Sequence, residues 1–179
     1  MTLPTLSNEC SECGFTDEGV TPADVVVALR KFGKRYRAPL TRFLTGEDGD
    51  AIVRQRPASD VWSALEYACH VRDVLGWYDD RVKLALAHDR PEALGPTPDE
   101  AAEADRYNEQ DPVAVADGIA ASAERLAATL ESVPDDGWDR EYIRRGHLWT
   151  VLFTARRSVH EGNHHLLDIG RGLRAVRSS

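Results

Sequence analysis

Methionine occurs once and cysteine three times in this chain of 179 residues, and no apolar run approaches the roughly 20 residues that a membrane-spanning helix needs. A disulfide framework and a membrane span are therefore both excluded as ways of holding the fold together. Residues 1–10 have neither a basic stretch nor an apolar core of the kind that marks a secretory signal. The expectation is a cytoplasmic location, where the cysteines serve as thiols or ligands rather than as cross-links. Basic charge is also in deficit: the net charge is -8 and the pI is near 5.2. A general nucleic-acid binder is excluded, because such proteins neutralise phosphates with a basic face. Arg30, Lys31, Lys34, Arg35 and Arg37 do cluster, but charge interleaved along one helix is the pattern of a solvated face.

What is present is ordinary globular usage, with 42% hydrophobic and 29% charged residues, enough to bury one core. Periodicity and caps mark four helices. The first opens at Thr21-Pro22-Ala23-Asp24, with a capping threonine, proline at the first helical position and an acid in the first turn. Val25, Leu29, Phe32, Tyr36, Leu40 and Phe43 carry it to about Leu44, across Pro39. The second opens on an S-x-x-E capping box, Ser63 and Glu66, with Trp62 and Tyr67 spaced as a hydrophobic staple, and reaches about Ala87. The third opens at Asp111-Pro112 and is closed by Pro134-Asp135-Asp136-Gly137. The fourth begins near Thr150 and frays around Gly170 to Gly172. Residues 91–110 form a long connection with room for one short helix, and residues 138–148 stay ambiguous. With no sustained alternation and no internal repeat, the fold class is all-α: a four-helix bundle, whose long link could supply a crossover. The divisions are an amino-terminal arm over 1–20, the bundle over 21–175 and a tail over 176–179.

His160-Glu161-Gly162-Asn163-His164 is the stretch with the most chemistry. Two histidines four apart share a helix face, the geometry in which imidazoles hold a divalent metal. His70 lies on a stripe of the second helix with Glu66, Asp73 and Trp77, so two helices could meet at one metal bound by His70, His160 and His164. The same string also matches H-E-x-x-H of zinc peptidases, but Leu167 and Gly170 stand where a metzincin needs glycine and histidine, and Asp168 is the one acidic residue after Glu161. Asp73, Glu161 and His165 are candidates for orienting the ligands or handling protons, and Arg156 and Arg157 for recognising a carboxylate.

Trp62-Ser63, Glu66 and His70, together with His160, His164 and the following His165-Leu166-Leu167-Asp168-Ile169, resemble the DinB-like superfamily of metalloenzymes over residues 21–173. The resemblance implies a four-helix bundle with His70, His160 and His164 around zinc or nickel. It further implies a low-molecular-weight thiol cosubstrate of the mycothiol type, used in S-transfer or in maleylpyruvate isomerisation on a small electrophile. Three imidazoles leave coordination positions open, which suits a working site. A metal-dependent hydrolase, and a metal-binding or partner-binding bundle without catalysis, are the alternatives.

Cys10-Ser11-Glu12-Cys13-Gly14 stands outside the bundle and has the form of one zinc-ribbon knuckle. Half a ligand set is evident there. His88, His147 or His165 could complete it, two chains could share an ion as a homodimer, or the segment could be an arm with two exposed thiols. Cys69 reads as a small buried residue.

Overall fold

The computed structural model describes residues 9–178. Four long helices form the bundle: α1 (Pro22–Thr41), α3 (Ala64–Ala87), α5 (Pro112–Glu131) and α6 (Val151–Arg177), with short α2 (Gly49–Arg54) and α4 (Pro98–Ala104) in the connections. β1 (Glu141–Arg144) and β2 (His147–Thr150) pair as an antiparallel hairpin.

Each long helix starts where a side chain satisfies its free backbone N–H groups. Thr21 and Asp24 form a reciprocal box at α1, Ser63 and Glu66 do so at α3, and Asp111 and Thr150 cap α5 and α6. Trp62 and Tyr67 meet edge to face at 5.6 Å across the α3 start. Glu66 is buried there, and its carboxylate accepts from the Ser63 N–H at 2.8 Å and from Arg56 Nε at 2.8 Å.

Around the bundle the order is α1, α5, α3, α6, so α1 and α3 sit diagonally and each packs between α5 and α6. Phe32, Tyr36, Leu65, Leu75, Ile119, Leu126 and Ile169 fill the space between them. The approach of α1 to α6 depends on Gly162: a Cβ there would lie 2.3 Å from the Phe32 ring, and the Tyr36 hydroxyl donates to the Gly162 carbonyl at 2.7 Å.

Three boundaries differ from the sequence reading. α6 runs through Gly170 and Gly172 because Ile169 and Leu173 are buried on either side. α1 ends at Thr41, where Arg42 turns extended. The ambiguous residues 138–148 contain β1 and lead into β2, which meet in a two-residue turn at Arg145-Gly146 with φ of 50° and 75°. Positive φ at both positions matches the right-handed twist of paired strands. The Tyr142 hydroxyl bonds Thr154 Oγ1 at 2.9 Å, so the hairpin sits against the start of α6.

Candidate metal centre

Four potential ligands fall within six residues of α6: His160, Glu161, His164 and His165. They form two pairs, each spaced i, i+4 and offset by one residue, which turns one pair about 100° around the helix from the other. Each pair meets a different part of the chain.

Glu161 and His165 face α3. Glu161 Oε2 lies 3.6 Å from His70 Nε2 and 3.3 Å from His165 Nε2, and the donor atoms of His70, Glu161 and His165 fall within 4.8 Å of one another. A tetrahedral zinc with donors at about 2.0–2.1 Å sets them about 3.4 Å apart, so the two measured edges suit one ion. The group is shielded: the side chains of His70, Glu161 and His165 are 6%, 13% and 15% exposed. His70 Nδ1 is buried with no hydrogen-bond partner. Trp62 lies 5.5 Å from the His70 ring, and Tyr67 stacks on His165 at 5.2 Å and 27°. His165 Nδ1 is held by Asp168 Oδ2 at 2.9 Å, the carboxylate-to-imidazole support that fixes the ring of a metal ligand and turns its other nitrogen to the metal. Arg157 Nη2 holds the outer oxygen of Glu161 at 2.9 Å.

The charges balance closely. Burial pushes the Glu161 carboxyl up, but the imidazoles of His160, His165 and His70 outweigh it and hold the group well below the usual carboxylate range. Burial pulls His165 down, yet Asp168 and Glu161 lift it to about 9. Without a metal, then, the imidazole carries the proton that two carboxylates share.

His160 and His164 face the amino-terminal arm. Their donors gather with Cys10 and Cys13, again all within 4.8 Å, and Cys10 Sγ lies 3.5 Å from His164 Nδ1. His160 is buried against Phe15, ring to ring at 5.4 Å, with neither ring nitrogen hydrogen-bonded. His160 and the backbone N–H groups of Cys13 and Glu12 draw the Cys10 thiol down to about 6, while burial raises Cys13.

The expected triad is therefore redistributed. Among the described residues no donor group joins His70 to His160 or His164. The helix phase gives His70 the partners Glu161 and His165, which the sequence reading had placed in supporting roles. Asp73 lies outside both groups, where it accepts from Tyr107 Oη at 2.6 Å and pairs with Arg72. Arg157 is engaged by Glu161, and Arg156 Nε donates to the Val20 carbonyl at 2.9 Å, while both side chains line a small pocket with Phe15, Phe153 and His160. His88 caps the end of α3 and His147 lies in β2, so it is His160 and His164 that stand opposite the cysteines. Cys69 is buried, and burial pushes its thiol up to about 12. A cavity of about 390 Å³ is lined by Trp62, Glu66, Arg56, Asp60, Asp99 and Glu103.

A four-helix bundle with a buried histidine and carboxylate group between two helices defines a class, and a family model confirms it. Residues 35–169 match the DinB superfamily, to which this chain belongs. Among solved structures, the chain is similar to YfiT from Bacillus subtilis, a probable metal-dependent hydrolase with an unusual four-helix bundle topology. The TM-score is 0.78 at 15% identity, over 88% of this chain and 90% of that one. No curated protein matches the sequence. Among the described residues no helix is long and apolar enough to cross a membrane.

Proposed function

We propose that this protein is a metal-dependent enzyme in which His70, Glu161 and His165 hold a divalent ion and a low-molecular-weight thiol of the mycothiol type attacks a small electrophile. The observation that carries the metal reading is the convergence of His70 Nε2 and His165 Nε2 on one oxygen of Glu161. Three protein donors leave a coordination position free, as working sites do. An ion bound there supplies Lewis acidity and holds a thiol or water deprotonated near neutral pH.

The chain's own residues do the positioning. Asp168 fixes the His165 ring, Arg157 fixes Glu161, and Trp62 and Tyr67 cover the imidazoles from water. The thiol assignment rests on the family resemblance. The likeness to YfiT favours a second reading, in which water takes the place of the thiol.

The test is turnover of a panel of aryl halides, epoxides and activated esters by zinc- and nickel-loaded protein, with and without thiol. Turnover that requires thiol and is lost in His70→Ala and Glu161→Gln supports transfer. Ester cleavage without thiol selects the hydrolase, and no turnover by metal-loaded protein selects a binding role.

A further inference from the structure

The face of α6 next to the proposed catalytic group carries a second set of donors that such an enzyme does not need. Cys10 and Cys13 are presented by a turn built for the purpose. The Gly14 N–H donates to the Cys10 carbonyl and the Cys10 N–H to the Phe15 carbonyl, both at 2.8 Å, and Gly14 takes φ of 68°, where a side chain would be strained. The turn brings both sulfurs to the side facing His160 and His164. His160 is 7% exposed and neither ring nitrogen makes a hydrogen bond, with Nδ1 standing 3.8 Å from Glu161 Oε1, a costly arrangement for an imidazole with no further ligand.

We propose that Cys10, Cys13, His160 and His164 form a closed Cys2His2 zinc site that clamps the amino-terminal arm onto α6. A tetrahedral zinc with sulfur at about 2.3 Å and nitrogen at about 2.0–2.1 Å separates its donors by about 3.3–3.8 Å. Donors already within 4.8 Å reach that spacing by small side-chain rotations. Two thiolates neutralise the ion, and four protein ligands leave no position for substrate, so the site is structural. The arm is held along the same line by Arg156 on the Val20 carbonyl and by Arg171 on Glu12 at 3.4 Å.

The two groups also share a carboxylate. Asp168 Oδ2 lies 2.9 Å from His165 Nδ1 and 3.5 Å from His164 Nε2, so it supports one imidazole of each. His164 is thereby left to bind through Nδ1, the nitrogen that faces Cys10. Seating the arm thus helps to place the ring that His165 offers on the other side.

The experiment is cobalt and zinc loading of the full chain, beside Cys10→Ser/Cys13→Ser and His70→Ala variants. Cobalt should give a thiolate-to-metal charge-transfer band that His70→Ala keeps and the double serine variant loses, with one of two zinc equivalents lost in each variant. In the unmodified protein, zinc should protect two thiols from a disulfide reagent until a chelator is added. Absence of the charge-transfer band, its persistence in the serine variant, or thiols equally reactive with and without zinc overturns the clamp. Loss of a metal equivalent in His70→Ala bears on the catalytic reading alone, so the two assignments fail separately.

Discussion

If His70, Glu161 and His165 hold the metal, binding at neutral pH must expel the proton that His165 carries between Glu161 and Asp168, because only the neutral ring is a ligand. With that imidazole lifted to about 9, the proton weakens apparent affinity at pH 7 by two decades, about 2.7 kcal/mol. The apparent association constant should therefore rise about tenfold per pH unit from this ring alone between pH 7 and 9, then level. Asp168→Asn removes one of the two carboxylates that lift His165 and leaves Glu161, so the break should move down toward the ordinary value of about 6.5 and the slope from pH 7 to 9 should shrink. Plateau affinity should fall about 10- to 100-fold, because the ring is no longer held. The assay is calorimetric titration with chelator-buffered zinc in two buffers of different protonation enthalpy, in a Cys10→Ser/Cys13→Ser background so that thiols add no protons. A pH-independent affinity with Asp168 intact, or the same slope in Asp168→Asn, would refute the reasoning.

The metal-free protein should be most stable below about pH 6.5 with respect to His165, losing about 3 kcal/mol as pH rises through the folded value of about 9; denaturant midpoints across that window check it. At Glu66 burial raises the carboxyl, but Arg56 and the Ser63 N–H hold it below its ordinary value, so its contribution is present above about pH 4.3 and fades as pH falls through the folded value. Glu66→Gln should cost about 2 kcal/mol at pH 7, and the gap should close in acid; an unchanged gap would contradict the assignment. Gly162→Ala drives a Cβ to 2.3 Å from Phe32 and should cost about 1–3 kcal/mol, partly recovered by adding Phe32→Leu. Equal losses in the single and double variants would locate the strain elsewhere. Tyr36→Phe removes the buried bond to the Gly162 carbonyl and should cost about 1 kcal/mol in thermal unfolding.

The bundle was legible because each long helix announces its start locally. Thr21, Ser63, Asp111 and Thr150 are all side-chain caps, and the apolar spacing behind them carries the helices. The hairpin was hidden because its strands are four residues each, too short for alternation to emerge, although Arg145-Gly146 was a turn signal. The donor residues were legible in kind, while their grouping was not. His160/His164 and Glu161/His165 are equally good i, i+4 pairs, and a preference for imidazole selected the first. Signals that bear on the grouping were weak but present: Asp168 follows His165 by three residues, and Cys10 and Cys13 offer half of a four-ligand set. What sequence could not supply is which way α6 is turned, since that is set by Phe32 and Tyr36 of α1 closing on Gly162.

The diagonal placement of α1 and α3 has a consequence for how the chain finds its fold. In an up-and-down bundle the first two long helices zip together as neighbours, whereas here α1 meets α5 and α6. Its polar contacts, Arg30 to Glu124 and Arg35 to Asn163, join residues 94 and 128 apart. High sequence separation slows folding by raising the loop-closure cost before native contacts form. During synthesis, α1 and α3 emerge with apolar faces that have no long-helix neighbour until α5 follows. The rate-limiting step should therefore be the docking of the later helices, and substitutions in α5 such as Leu126→Ala should slow folding more than equally destabilising ones at the α1 cap.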